Sequence, residues 1–388
     1  MESKKSLPMR LLFLLCLVGL SVSESHCSGN LTVHPGTIKV LKGSKGLFNV
    51  TLCHNNTGSV VIHFQSSAED VLTVEDNITI PQGEVGQPYP VEFHAKDAGI
   101  TNIQMSSTQV DVSSEFVLVS SMENEALDTI AVIIGWIYFV AWSVSFYPQV
   151  YLNFRRRSVV GLSFDFLSYN FTGFLAYGIF NVGLYWIDEI KEEYTKQHKY
   201  SVIPVQLNDV VFTIHAFFIT CVTIFQTFIY ERGGQKVTTV CWILQSIAWM
   251  FVTVTLIITA VSSQSVLTWL EFVTFISYIK LGVTLIKYVP QVWMNFKRKS
   301  TDGWSIGNVL LDFTGGSYSI LQMILISYNY NDWSSFFLDP TKFGLGLFSI
   351  CFDIVFILQH YVWYKEQEPP GTENNDQEHL INSDAKDQ

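Results

Sequence analysis

Charge is scarce in this chain. Of its 388 residues 15% are Asp, Glu, Lys or Arg, while 48% are hydrophobic. Soluble domains carry nearer a quarter charged residues. The shortage excludes a single soluble domain, because the apolar excess falls after about Asp128 in runs too long for a soluble core helix. Positive charge is the scarcer sign, with 23 Lys and Arg against 34 Asp and Glu, a net −11. That balance excludes nucleic acid as a partner, since phosphate binding needs a basic surface. Cysteine is sparse too: there are six, without metal-ligand spacing. Cys221, Cys241 and Cys351 fall in apolar runs, where a buried thiol is expected. Cys27 and Cys53 would face an oxidising compartment, and the sequence leaves open whether they pair. No nucleophile–base pair or metal cluster stands out, so neither catalysis nor a cofactor is expected.

What is present falls into blocks. Residues 1–24 read as a secretory signal, with Lys4, Lys5 and Arg10 before a short apolar core, Leu11–Leu20, and small residues after it. A retained anchor is the competing reading. Residues 25–124 carry short stretches of period two, such as Thr37–Leu41, Ser59–Phe64 and Glu115–Val119. Pro and Gly clusters separate them, which predicts a small β-sandwich. Four glycosylation triplets begin at Asn30, Asn49, Asn55 and Asn77. Four within so short a stretch behind a leader indicate lumenal exposure.

Seven apolar runs follow, near 127–152, 162–186, 206–230, 238–262, 266–292, 304–328 and 341–364. Each reaches the roughly 20 residues a helix needs to cross hydrocarbon. Arg155–Arg157, Arg232, Lys236, Lys297–Lys299 and Lys365 all fall on one side of these spans. The positive-inside rule makes that side cytosolic. The leader independently puts the N-terminus in the lumen and therefore the C-terminus in the cytosol.

The decisive feature is a duplication. Pro148-Gln-Val-Tyr-Leu-Asn-Phe-Arg-Arg-Arg-Ser158 parallels Pro290-Gln-Val-Trp-Met-Asn-Phe-Lys-Arg-Lys-Ser300. Without a gap, Gly161 and Ser163 fall on Gly303 and Ser305, and Asn170–Gly173 on Asp312–Gly315. The third runs also rhyme, Asp209–Phe212 with Asp353–Phe356. The expected fold is an all-α membrane protein with seven transmembrane helices. Two parallel three-helix repeats, 125–235 and 264–365, flank a linker helix in 236–263, and a polar tail, 366–388, follows. Proline inside a helix removes a donor and displaces the carbonyl four residues back. Pro148 and Pro290 are thus candidate hinges acting on Val144 and Ile286; a static bend is the competing reading.

Ionisable groups in hydrocarbon usually face a cavity or a partner. Lys280 and Lys287 stand seven apart on one helical face, and Asn308 and Asp312 four apart on another. Such a set suits a zwitterion: lysines hold carboxylates, and a carboxylate holds an ammonium or takes a proton. Asp209 could instead cap a helix, and Asp353 could pair with a lysine. Asp165 is expected to cap the second span, and His215 and His360 to be hydrogen-bonded core residues.

These motifs resemble the PQ-loop family of lysosomal cystine carriers, which share the parallel-repeat plan of the SWEET sugar carriers. The likeness is dense over 128–364, as in Ser145-Phe-Tyr-Pro-Gln149, Ser277-Tyr-Ile-Lys280 and Gly303–Gly316. It implies proton-coupled export of L-cystine across a lipid bilayer. On matching positions it implies that Asn170, Lys280, Lys287, Tyr288 and Asn308 touch substrate. Asp312 would be the main proton-coupling carboxylate, also beside the substrate. Asp209 and Asp353 would be further proton-linked groups, and Trp142, Phe146 and Gln149 would line the cavity and its hinge. The tail departs from the family's tyrosine-based sorting signal. It carries an acidic dileucine pattern, Asp376 with Leu380 and Ile381, of the kind read by clathrin adaptors. Lysosomal residence with some protein at the plasma membrane follows from that pattern, and lysosomal nutrient-signalling complexes are further implied partners. Competing readings are another small solute, such as a sugar or a cationic amino acid, and a membrane receptor or scaffold on the same fold.

Overall fold

The computed structural model describes residues 30–54, 58–112, 115–197, 203, 205, 207–261, 266–333 and 340–364. The expected leader, Asn55 and the tail pattern from Asp376 to Ile381 lie outside these residues. The chain forms two compact units, divided between Ser121 and Met122.

Among the described residues the first unit holds nine strands. They are β1 Leu31–His34, β2 Thr37–Leu41, β3 Lys45–Leu52, β4 Val60–Ser66, β5 Leu72–Val74, β6 Asn77–Ile80, β7 Pro88–Ala95, β8 Gly99–Ser106 and β9 Phe116–Met122. They form a four-stranded sheet, β1-β3-β7-β5, and a five-stranded sheet, β2-β9-β8-β4-β6. The period-two pattern is real: β3 buries Phe48, Val50 and Leu52 and β4 buries Val60, Ile62 and Phe64, with Asn49, Thr51, His63 and Gln65 among the residues alternating outward. Phe48 of one sheet meets Phe64 of the other edge-on at 5.7 Å, within one shared core. Asn30 and Asn77 are exposed, and Asn49 stands half-buried on the outer face of β3. Cys53 is disulfide-bonded. Its partner is outside the described residues, since the other described cysteines, Cys221, Cys241 and Cys351, are free.

The second unit is helical: α1 Glu125–Arg156, α2 Phe164–Trp186, α3 Asp188–Gln197, α4 Leu207–Ile229, α5 Thr239–Val261, α6 Trp269–Ile286, α7 Val289–Arg298, α8 Ile306–Asn329 and α9 Pro340–Leu358. A π-helical turn, Gln359–Trp363, continues α9. Among the described residues six stretches are long and apolar enough to cross a bilayer: α1, α4, α5, α6 with α7, α8, and Gly346–Trp363. The expected second span, α2, is not among them. Its 23 residues are enough, but Tyr, Asn, Gly and Trp dilute its hydropathy. Burial explains the difference, for α2 buries 12 of its 23 residues and α1 only 6 of 32. A helix packed among helices presents little surface to lipid. The short helix α3 was not foreseen from its charged sequence.

The repeats meet along two seams, α1 with α8 and α2 with α6. Small residues allow close approach. A side chain at Gly315 would overlap the Trp142 ring, and one at Gly173 would lie 3.0 Å from Val283. The linker helix α5 is fastened to α2 inside the bundle. Thr172 donates to Gln245 at 2.7 Å, and Trp249 donates to Thr172. Thr238 caps α5, its hydroxyl accepting from the Cys241 amide, and Asp165 holds that cap by accepting from the Thr238 amide and hydroxyl, both at 2.7 Å. Capping of α2, expected of Asp165, falls to Ser163.

The two prolines differ. Pro148 lies inside a continuous α1. Pro290 stands in the first turn of α7, where a missing N–H costs nothing. The helix before it ends at Ile286, the residue whose carbonyl a proline at 290 leaves without its donor. A kink inside a helix was expected at both places; the second repeat has an interruption instead.

Candidate functional site

Apart from Asp165, the buried charges of the bundle among the described residues sit in the second repeat. Lys280, near the end of α6, is 7% exposed, and Lys287, in the break after it, 8%. Neither ammonium has a carboxylate within 4.0 Å or a hydrogen-bond partner among the described residues. Aromatic faces receive them instead: Lys280 Nζ lies 4.6 Å from the Phe174 ring centroid and Lys287 Nζ 4.4 Å from that of Tyr288. Lys280 crosses the α2–α6 seam to reach Phe174, and its stem runs past Gly173, where a Cβ would stand 3.6 Å from its Cδ.

Beside the lysines runs a chain of hydroxyls and carboxylates. Tyr288 donates to Asp312 Oδ2 at 2.5 Å, Ser349 donates to the same oxygen at 2.8 Å, and Ser349 lies 3.5 Å from Asp353 Oδ2. The break before α7 places Tyr288, α8 supplies Asp312, and α9 supplies Ser349 and Asp353 one turn apart. The charges of Asp312 and Asp353 both act on Lys287, and those of Lys287 and Asp312 act on Lys280. Two cations, two carboxylates and two hydroxyls thus share one interior region, with the cations unpaired. Ionisable groups placed at membrane depth are costly, and here both signs stand close together. Sequence reasoning missed Ser349; its signal was a hydroxyl four residues before an aspartate in an apolar run.

Other expected residues gather nearby. Phe146 packs on Phe174 at 5.5 Å, which joins it to the Lys280 cage. Trp142 rests on Gly315, one turn after Asp312. Asn170 is buried on α2 one turn before Phe174, and Asn308 is half-buried one turn before Asp312. Asp209 is elsewhere. It lies in the first turn of α4, at the end of that helix away from Arg157, and its carbonyl accepts from Asn181 and Thr213.

Gln149 was expected to line the cavity; the structure gives it another task. Its Oε1 accepts from the Ser305 amide at 2.8 Å, and its Nε2 donates to the Gly303 carbonyl at 3.0 Å. Gln291 does the same in reverse, accepting from Ser163 at 2.7 Å and donating to Gly161 at 2.8 Å. Each repeat therefore clasps the loop of the other. The symmetry continues: Gln149 bonds Asn153, which bonds Gln226, and Gln291 bonds Asn295, which bonds Gln359. Gln226 and Gln359 are thus equivalent positions. Counting back from them, Asp353 corresponds to Thr220, about three helical turns from Asp209. The sequence rhyme of the two aspartates is not a structural equivalence. The clasp closes the end of the bundle bearing Arg155–Arg157 and Lys297–Lys299, the basic end. Arg156 adds an ion pair with Asp302 at 2.9 Å. Gly161 and Gly303 adopt positive φ, 101° and 92°, and each faces a backbone carbonyl of the opposite loop, so neither position has room for a side chain.

Two matching blocks that clasp one another through their Pro-Gln glutamines define a multi-pass membrane protein built on PQ-loop repeats. The PQ loop repeat family accordingly matches residues 130–189 and 272–332. Among curated proteins, cystinosin of Drosophila melanogaster is 45% identical over 360 residues, covering 92% of this chain and 89% of that one. Cystinosin of Bos taurus is 45% identical over 87% of this chain and 91% of its own length. A protein named cystine transporter in Saccharomyces cerevisiae is 29% identical over 60% of this chain and 93% of its own. The chain belongs to the cystinosin family. Its relatives carry a transporter's name and not an enzyme's, in line with the lack of a catalytic arrangement in the sequence.

Proposed function

We propose that this chain is a proton-coupled symporter carrying L-cystine from the lysosome lumen to the cytosol by alternating access. The observation that carries the proposal is the pair of buried, unpaired lysines beside the Tyr288–Asp312–Ser349–Asp353 chain, in a family whose relatives include a named cystine transporter. Cystine has two carboxylates and two ammonium groups. Lys280 and Lys287 take its carboxylates, Asn170 and Asn308 orient them, and Tyr288 and Asp312 meet an ammonium. Asp312 accepts two hydroxyl bonds in its charged form. A proton delivered there neutralises it and lowers the cost of carrying the loaded site between states. Ser349 joins that step to Asp353; Asp209 acts separately, near the lumenal entrance.

In this reading α2 completes a seven-span bundle, the basic end is cytosolic, and the glycosylated sandwich and α3 lie in the lumen. Residues 1–24 are the signal, and 125–235 and 264–365 are the repeats about the linker helix. Asp376, Leu380 and Ile381 sort the protein through clathrin adaptors. The reciprocal glutamine clasp is the cytosolic gate, and the Pro148 bend and the Pro290 interruption are the hinges about which it opens. The test is labelled cystine uptake by whole cells in which Leu380 and Ile381 are replaced, so that protein at the surface shows its lumenal face to the medium. Saturable, acid-stimulated uptake that Asp312→Asn abolishes is expected. Uptake driven by the pH gradient in Asp312→Asn would sink the mechanism, and absence of cystine uptake with surface protein confirmed would sink the substrate.

A further inference from the structure

A groove of about 650 Å³ opens between α7 and the end of α9. Trp293 and Phe296 wall one side and Val355 and Trp363 the other, with Lys299 and Tyr364 at the mouth. Both walls belong to stretches long and apolar enough to cross a bilayer. Hydrocarbon therefore covers the groove, and its mouth opens at the basic end, where headgroups begin.

The mouth is unusual in its cations. Lys299 holds left-handed backbone, φ 50°, a conformation that disfavours a branched Cβ and is more often given to Gly or Asn. Its Nζ sits 3.7 Å from the Phe296 ring centroid and 5.8 Å from that of Tyr364. Lys297, just outside the lining, lies at 5.1 Å over Trp293, which is part of it. Neither ammonium has a hydrogen bond or a carboxylate within ion-pair distance among the described residues. The first repeat offers the contrast. Arg157, at the equivalent position with φ 52°, lies over Phe154 and Tyr230 and donates to the Tyr230 hydroxyl. The second repeat keeps the cation and the aromatic seat and leaves the donors unspent beside an apolar slot.

Apolar walls at membrane depth, an aromatic rim and two uncommitted cations at the headgroup level are complementary to one class of molecule. We propose that this groove binds one anionic phospholipid, its acyl chain between α7 and α9 and its phosphate on Lys297 and Lys299. The occupant lies against Gln359, whose amide carries the second half of the clasp through Asn295, so a bound lipid braces the gate of the second repeat. That this leaflet is cytosolic rests on the orientation proposed above, whereas binding itself does not.

The full-length protein, purified in a neutral detergent, is titrated with dioleoylphosphatidylglycerol or dioleoylphosphatidylcholine, and bound lipid is counted by native mass spectrometry. One phosphatidylglycerol should be held more tightly than phosphatidylcholine, by roughly fivefold for each lysine engaged. Lys297→Gln with Lys299→Gln should bring the two lipids to parity. Val355→Trp, which fills the slot, should weaken both. Free glycerol phosphate should not displace the lipid, because it lacks the chain. Equal retention of the two lipids by the unaltered protein would overturn the proposal, as would a preference that survives loss of both lysines. Displacement by glycerol phosphate as efficient as by phosphatidylglycerol would assign the site to a free phosphate and overturn it too.

Discussion

Replacing Gln149 by alanine should loosen both halves of the clasp, although only one half loses its bonds. The substitution leaves the Ser305 amide and the Gly303 carbonyl without their partner. Stranding a buried polar group costs about 1–3 kcal/mol. Two such groups, partly recovered by water, weaken the closed basic end by roughly 2–3 kcal/mol, or about 30- to 150-fold in the closed-to-open ratio. The informative amide is Ser163, because its acceptor, Gln291, is untouched. If the repeats rock as bodies, opening at Gln149 carries Gln291 away from Ser163 as well. Hydrogen exchange measured by mass spectrometry on peptides covering 161–166 should then quicken by roughly that factor, and Gln291→Ala should do the same to Ser305. Faster exchange confined to 303–305, with Ser163 as protected as before, would refute concerted opening and leave two independent loop contacts.

Other consequences can be checked separately. Lys287→Met removes one charge-assisted contact of the kind worth about 1.5–3 kcal/mol, so the apparent affinity for cystine in uptake assays should fall roughly 10- to 150-fold; unchanged affinity would remove Lys287 from the site. Gly303→Ala places a methyl group on the Val160 carbonyl in left-handed backbone and should abolish transport, whereas Gly282→Ala, with open space around it, should be tolerated. In the first unit, the hydrogen bond from Lys42 and its charge hold the Asp97 carboxyl below the ordinary aspartate range. A lowered value means that the pair's contribution is present above the unfolded value and lost as pH falls through the folded one. The pair should thus persist at mildly acidic pH, and carbon-detected NMR titration should find Asp97 among the last aspartates of the sandwich to protonate on acidification. An ordinary midpoint would show that the ion pair does not form in solution.

How much of this was legible beforehand varies with the physics involved. The sandwich and most spans follow from periodicity and length, which are local properties. The duplication was visible as a string, yet its meaning was not: nothing local to Gln149 says that its amide reaches Ser305 rather than substrate. The likeness of Asp209 to Asp353 misled, because a short apolar helix can match another in more than one register, and only the partners of Gln226 and Gln359 fix the true one. Pro290 begins a helix where Pro148 lies inside one, since the Lys287–Tyr288 break lets the helix restart with proline in its first turn. Asp165 holds Thr238, the cap of α5, which lies far along the chain from it, and α3 was hidden by charges that read as loop. At the candidate site the charged residues were legible because hydrocarbon makes them conspicuous; Ser349 was not, because serine is common in helices.

The most direct test of the central claim is simultaneous measurement of cystine entry and proton entry in liposomes holding the purified protein. The account predicts that cystine, and neither arginine nor glucose, drives a saturable proton influx that Asp312→Asn eliminates. Cystine entry without accompanying protons, or proton influx that persists in Asp312→Asn, would contradict it.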